Sequence, residues 1–119
     1  MATEDDLRRI ALSLPEVTER PSYGAPGFRV HDKLFLRIRK EKEGGVMCCV
    51  ADLGEKEMLL ATEPQKFFTT PHYDGYASVL LNLEALDEQE LTEMVVDAWR
   101  ARAPAKVLAA YEDQLPGSA

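Results

Sequence analysis

The sequence has few of the residues that hold disulfide-rich or metal-binding domains together. It contains two histidines and two cysteines in 119 residues, and the cysteines, Cys48 and Cys49, are adjacent. Neighbouring strand residues point to opposite faces, so a disulfide between them would be strained, and the pair lacks the C-x-x-C spacing of redox and zinc sites. We interpret both as small apolar strand residues in a reducing compartment, and we expect neither a metal nor a cofactor.

Long apolar runs are missing as well. No stretch approaches the roughly 20 residues of a membrane-spanning helix, and the first six residues, MATEDD, are acidic where a signal peptide would be basic. We therefore expect a cytoplasmic protein with no membrane partner. The chain is 45% hydrophobic and has no linker or repeat, which predicts a single domain over residues 1–119 with a short disordered tail from about residue 114.

Positive charge is scarce overall and unevenly distributed. The net charge is −7, yet residues 1–40 hold eight basic and six acidic residues, against six and fifteen in residues 41–119. A whole-molecule field of this sign repels nucleic acid. The densest basic run is Arg29–Lys42, so any surface that meets polyanions is expected there.

Helical periodicity predicts four helices. Thr3 and Asp6 form a capping-box start for the first, which Pro15 ends, and Asp87 and Glu90 do the same for the longest. Shorter helices are expected at 54–62 and from Pro104 to about 111. The apolar stripes expected in the core are Leu7, Ile10, Ala11 and Leu14 in the first helix, and Leu91, Met94, Val95, Ala98 and Trp99 in the longest.

Alternating and apolar runs predict strands. The expected strands are 28–30, 33–39, 46–51, 67–70 and 77–83, with the fragment 21–27 as a turn-rich loop and His31-Asp32 as a tight turn. The order α-β-β-β-α-β-β-α-α, with short links, predicts an α+β fold in which helices cover one face of an antiparallel sheet.

The amino-acid sequence contains no catalytic motif that we recognise. No serine or cysteine has a nucleophile context, and the only loop that combines a base, a phenol and a carboxylate is His72-Tyr73-Asp74. That loop fits an acid–base cluster or, as we favour, a turn with Tyr73 packed over the sheet edge. We therefore predict that the protein is not an enzyme.

A basic strand face is the strongest binding signal. Lys33, Arg37 and Arg39 recur at every second residue, about 6.5–7 Å apart, which is similar to the phosphate repeat of one nucleic-acid strand. Phe35 lies among them on the same predicted face, where it could stack on a base. The alternative is an ordinary solvent-facing strand.

Several segments occur in a characteristic order: ALSLPEV at 11–17, YGAPGFRV at 23–30, KLF at 33–35 and FFTTPHYDG at 67–75, followed by Trp99 and the segment 104–111. Over roughly residues 7–111 this set resembles the MmcQ/YjbR family of small bacterial proteins. The resemblance implies a two-layer α/β sandwich of α-β(3)-α-β(2)-α order, similar to secretion chaperones and frataxin-like proteins.

The resemblance also implies DNA binding through a double-wing arrangement of hairpins. Carried over to this sequence, the contacts are Arg29, Lys33, Arg37 and Arg39 in the first wing and Lys40 and Lys42 at its tip, with His72 and Tyr73 on the loop before the second wing. This chain departs from the expected pattern in its net negative charge and in having no Lys or Arg from residue 72 to residue 83.

The sequence thus predicts weak, low-specificity DNA binding by a monomer or weak dimer. The expected contacts are Arg29, Lys33, Phe35, Arg37, Arg39, Lys40, Lys42 and Tyr73. Four phosphate contacts (Lys33, Arg37, Arg39 and Lys40) predict a log–log salt slope of about −3.6 on duplex DNA. Two alternatives remain open: a chaperone-like adaptor that binds a protein partner through the sheet or its edge, and a small-molecule or enzyme site near Tyr23, Arg29, His72 and Tyr73.

Overall fold

The structure is a computed structural model that describes residues 1–39 and 44–115. Within these residues, four α-helices and six strands follow one another. They are α1 (Glu4–Ser13), β1 (Val17–Ser22), β2 (Ala25–Val30), β3 (Lys33–Ile38), β4 (Val46–Cys49), α2 (Leu53–Thr62), β5 (Phe67–Phe68), β6 (Ser78–Leu81), α3 (Glu88–Arg102) and α4 (Ala105–Tyr111). Short 3-10 turns lie at Pro71–Tyr73, Leu83–Ala85 and Glu112–Gln114.

All six strands form one antiparallel sheet in the order β1-β2-β3-β4-β6-β5. The predicted α+β class with an antiparallel sheet is confirmed, and β4 is central as its run of apolar residues predicts. The helices also begin as expected, because Thr3 with Asp6 and Asp87 with Glu90 both form complete capping boxes.

The core lies between the sheet and the helices α1 and α3. The predicted stripe of α3 is buried at Leu91, Val95, Ala98 and Trp99. The Trp99 indole Nε1 donates a hydrogen bond of 3.0 Å to the carbonyl of Pro15, just after α1. This bond pins the end of α1 to α3, so both helices share the face of the sheet that carries Phe28, Leu36 and Cys48.

The structure has one strand more than the predicted order, because residues 17–22 form β1. This segment, VTERPS, is an edge strand whose middle residues are exposed, so it lacks the apolar alternation that marks a strand in sequence. Part of the predicted loop 21–27 is in fact the end of β1 and the start of β2, joined by a two-residue turn at Tyr23 and Gly24. Pro21 lies on the edge strand β1, and Pro26 lies one residue before Gly27, the first residue of β2 that pairs with β3. Neither proline therefore removes a hydrogen bond between β2 and β3.

The pairing of β2 with β3 contains a β-bulge. Phe28 pairs with Leu36, but the next residue, Arg29, pairs with Leu34, so Phe35 is an extra residue on β3. A bulge re-aims the side chains of its strand. Phe35 and Leu36 are both fully buried in the core, and the alternation predicted through β3 is therefore broken at Phe35.

The described C-terminal segment packs against the core as far as Leu115. Leu115 is 3% exposed and belongs to the core, after a 3-10 turn at Glu112–Gln114, so the chain is packed one residue beyond the expected start of the tail. Residues 116–119, the rest of that predicted tail, lie outside the described residues. Within the described ranges, no helix has the length and apolar character needed to cross a membrane.

Candidate nucleic-acid interface

The face of the sheet turned away from α1 and α3 is here called the outer face. Paired residues of antiparallel strands point to the same side, so the register assigns each side chain to a face. Those assigned to the outer face are Thr18, Arg20, Ser22, Ala25, Gly27, Arg29, Leu34, Arg37, Met47, Cys49, Phe68, Ser78 and Leu80. The outer face thus collects three arginines from β1, β2 and β3.

The six strands contain a single carboxylate, Glu19, and it lies on the other face of the sheet, because Glu19 pairs with Phe28. Arg8 of α1 holds it through a 2.8 Å bond from Nε to Oε1. The other acidic residues in the described ranges belong to helices, turns and loops. A chain with a net charge of −7 therefore builds a locally basic surface on its sheet.

The predicted row of Lys33, Phe35, Arg37 and Arg39 does not share one face. Lys33 pairs with Val30, a core residue, which places Lys33 on the α1–α3 side at the exposed end of β3. Phe35 is fully buried, so the prediction that it offers a ring to a ligand is wrong. The β-bulge is the reason, because it shifts the alternation between Leu34 and Leu36.

Four other predicted contacts have different outcomes. Arg29 lies on the outer face, where its Nη1 donates to the carbonyl of Asp32, and Asp32 in turn pairs with Arg20. Lys40 and Lys42 lie outside the described residues. Tyr73 is half-buried beside Arg39, as described below.

Tyr23 and Arg37 form one wall of a cleft on the outer face. The guanidinium carbon of Arg37 lies 5.7 Å from the centre of the Tyr23 ring, within range for a cation–π contact. Arg37 Nε also donates a 3.0 Å hydrogen bond to the carbonyl of Ser22. Tyr23 itself is 89% exposed. The Tyr23 ring is therefore exposed to solvent, and the positively charged guanidinium of Arg37 packs against it.

The backbone at Tyr23 is unusual for a bulky residue. Its φ is +52°, and Gly24 follows with φ of +78°, as in the tight turns that favour Asn-Gly. This left-handed backbone conformation costs a residue other than glycine about 1 kcal/mol of stability, and Asn adopts it more readily than Tyr does. The turn therefore displays an aromatic ring where local backbone energetics favour a smaller residue.

Tyr73 and Arg39 form the opposite wall. The guanidinium carbon of Arg39 lies 5.7 Å from the centre of the Tyr73 ring, and His72 packs edge-on against that ring at 5.0 Å. Arg37 and Arg39 stand two residues apart, so their Cα atoms are separated by about 6.5–7 Å. The two arginine–tyrosine pairs thus repeat along the direction of β3.

A buried lysine fixes the segment that carries Tyr73. Lys56 of α2 is 6% exposed, and its Nζ donates to the carbonyls of Tyr73 at 2.6 Å and Tyr76 at 3.0 Å. Charge-assisted bonds of this kind are among the stronger ones in proteins. Sequence reasoning missed this role, because nothing in the pattern of α2 distinguishes Lys56 from an exposed helical lysine.

The cleft between the two walls has a volume of about 550 Å³ and is lined by Tyr23, Arg37, Arg39, His72 and Tyr73. Among the residues that the structure describes, none that lines this cleft carries a carboxylate. Such a cleft can hold anionic groups at the guanidiniums and planar rings at the tyrosines. The structure joins Tyr23, His72 and Tyr73, three of the four residues considered for a small-molecule site, whereas Arg29 does not line the cleft.

Neither Cys48 nor Cys49 forms a disulfide with a residue that the structure describes. Burial raises the pKa of the Cys48 thiol well above its usual value and also raises that of Cys49. Both are free thiols near backbone carbonyls, which suits structural residues and not nucleophiles. Across residues 1–39 and 44–115, no three His, Cys, Asp or Glu side chains converge in a way that could hold a metal ion.

These features define an α+β protein with a single antiparallel sheet, helices packed on one face and a basic, aromatic cleft on the other. The chain belongs to the YjbR family, also called MmcQ/YjbR, whose model matches residues 12–101. Similar proteins are an uncharacterized protein of Mycobacterium bovis and two of Mycobacterium tuberculosis. Each is 35% identical over 127 residues, covering 93% of this chain and 96% of the relative. Comparison with solved structures gives no significant match.

Proposed function

We propose that this protein binds nucleic acid, weakly and with little sequence preference, through the cleft on the outer face. One observation carries the proposal: Arg37 of β3 and Arg39 directly after that strand each lie against a tyrosine ring in the same cleft. Grooves that bind single strands combine cations for the phosphates with aromatic rings on which bases stack. The cleft offers both at a spacing similar to the nucleotide repeat.

Low sequence preference follows from the type of contact. Ring faces accept any base, and guanidiniums bind phosphates, which are the same at every position. Adenine and cytosine edges are read mainly by amide and carboxylate side chains, whereas guanidiniums can also contact guanine edges. The described lining residues Tyr23, Arg37, Arg39, His72 and Tyr73 include no amide or carboxylate, which leaves guanine as the one base that the arginines could favour.

The structure changes the expected salt dependence. The duplex slope of about −3.6 needs Lys33 and Lys40 beside the arginines, but Lys33 belongs to the other face and Lys40 is not described. Two phosphate contacts to a single strand, at Arg37 and Arg39, give a slope of about −1.4. Affinity then falls about sevenfold between 50 and 200 mM salt.

Fluorescence anisotropy with a labelled 15-nucleotide oligo-dT, measured over a salt series, tests the proposal. Arg37→Gln should weaken binding about fivefold and reduce the slope by about 0.7, because one phosphate contact is lost. The matched control is Lys106→Gln on α4, an exposed position remote from the cleft that carries the same loss of charge. A flat salt response, or equal effects of the two variants, would overturn the proposal.

We also propose that the cleft binds without catalysis. A general base needs a partner that orients it and a reacting group within reach. His72 is exposed, contacts Tyr73 edge-on, and has no carboxylate within ion-pair distance among the described residues. His72→Ala should therefore change oligo-dT affinity less than twofold, and a larger loss would assign a ligand contact to this ring.

The β1 edge of the sheet is protected against strand addition, which supports this proposal over a protein-binding adaptor at that edge. Peptide addition needs an edge strand with free backbone donors. On β1, Pro21 lacks an N–H group and Glu19 is held by Arg8, both of which are features that protect an edge from pairing. In the cleft, by contrast, the arginine, histidine and tyrosine side chains that would contact a ligand are exposed or half-buried, and none of the described residues that line it is a proline.

A further inference from the structure

A second groove adjoins the cleft on the outer face. It has a volume of about 420 Å³, and Tyr73 belongs to the lining of both cavities. Its floor is apolar, formed by Leu34 of β3 together with Met47 and Cys49 of β4. Tyr76, which is 65% exposed, contributes a second ring.

The groove also has a positive charge in its lining that the cleft does not share. Arg102, the last residue of α3, lines it and is exposed. No described carboxylate forms an ion pair with Arg102. The groove therefore combines apolar and aromatic lining residues with Arg102, and Arg37 and Arg39 lie in the adjoining cleft, which shares His72 and Tyr73 with it.

We propose that this groove receives one unstacked base of a single strand, with the flanking phosphates at the cleft arginines and at Arg102. The inference rests on the proposed function and makes it more specific. A base buries its ring between apolar groups and tyrosines, while its two phosphates need cations on either side. A mononucleotide has a phosphate on one side only, so cations in both the cleft and the groove favour a base within a strand.

Duplex DNA does not satisfy this arrangement. Its bases are paired and stacked, and moving one into a side groove costs a few kcal/mol of unstacking and unpairing. Single strands present bases without that cost. The protein is thus inferred to prefer single strands to duplexes of the same length.

Filling the groove tests the inference. Ala101 lines it from the last turn of α3 and is exposed, so Ala101→Trp adds a ring there with little risk to the core. Oligo-dT affinity should fall about tenfold, the value of one stacked base, whereas duplex affinity should change less than twofold. Ala109→Trp, at an exposed position of α4, is the matched control and should change neither.

Thiol protection gives a second readout that needs no variant. Cys49 lines the groove and is partly accessible, whereas Cys48 is fully buried and acts as the internal reference. Saturating oligo-dT should slow alkylation of Cys49 at least fivefold, as followed by mass spectrometry. Unchanged alkylation, or an unchanged affinity of Ala101→Trp, would overturn the inference.

The outcomes separate the two proposals. If Arg37→Gln weakens binding but Ala101→Trp does not, the cleft binds nucleic acid and the groove does not take a base. If thymidine monophosphate binds as tightly as oligo-dT, the requirement for a strand is wrong. If neither variant has an effect because oligo-dT does not bind, the proposed function itself fails.

Discussion

Arg8 and Arg9 on the helical side of the sheet have different partners from Arg37 in the cleft. On the helical side, Arg8 pairs with Glu19 and Arg9 with Glu88, each at 2.8 Å, so the charge of each is met by a carboxylate of the same chain. On the outer face, Arg37 lies over Tyr23 and donates to a backbone carbonyl, with no described carboxylate in ion-pair distance.

The difference decides which cations can bind an external anion. A phosphate that approaches Arg8 or Arg9 must compete with a carboxylate already in place. At Arg37 the phosphate meets a guanidinium that lies next to the Tyr23 ring and the carbonyl of Ser22. Neither of these groups carries a negative charge that would neutralise the guanidinium. Net charge is therefore a poor guide to the charge that an anion would meet at Arg37, because Glu19 and Glu88, which pair with the helical-side arginines, do not line the cleft.

The largest effect is expected from reversing the cleft charges. Arg37→Glu combined with Arg39→Glu should weaken oligo-dT binding more than 100-fold, because two phosphate contacts become repulsive. Arg9→Glu combined with Lys106→Glu changes the net charge equally but away from the cleft, and should change affinity less than threefold. Anisotropy titration at one salt concentration measures both, and similar losses would mean that total charge, not the cleft, controls binding.

A smaller effect is expected from Lys56→Met. The substitution leaves the carbonyls of Tyr73 and Tyr76 without their charged donor and should lower the free energy of unfolding by about 2 kcal/mol. The Tyr73 wall then loses its fixed position, so oligo-dT affinity should fall as well. Urea unfolding and anisotropy measure the two effects, with Lys106→Met as the exposed control. An unchanged affinity would show that Lys56 supports the fold but does not position the cleft.

The same contrast explains what could be predicted from the sequence. The helical side follows apolar periodicity and capping residues, so its elements, including the Asp87–Glu90 cap and the Trp99 stripe, match the expectation closely. The outer face depends on the bulge at Phe35 and the exposed strand β1, neither of which leaves an apolar pattern. Arg37, Arg39 and Tyr73 were predicted as contacts, but their neighbour Tyr23 entered only through the small-molecule alternative.

Tyr23→Asn should separate binding from stability. Asparagine tolerates the positive φ of this turn better than tyrosine, so Tm should stay the same or rise, while oligo-dT affinity should fall about fivefold with the loss of one stacking ring. His31→Asn, at the positive φ of the next turn, is the control and should leave affinity unchanged. If Tyr23→Asn lowers Tm and affinity together, the ring serves the fold and not the ligand.

The smallest effect concerns acid stability, which the helical side alone should control. Lys66 donates to Glu90 and lowers the pKa of that carboxyl, and the backbone N–H of Thr3 lowers the pKa of Asp6. As pH falls, these carboxyls take up protons more readily in the unfolded chain than in the folded one. The free energy of unfolding should therefore decrease from about pH 5 downward, through the pH range in which such carboxyls usually titrate. Urea unfolding at several pH values should show a shallower decrease for Lys66→Met, since the carboxyl of Glu90 loses its cation, and an unaltered one for Tyr23→Asn. Equal slopes for Lys66→Met and the parent chain would mean that the pairs on the helical side do not carry the acid dependence.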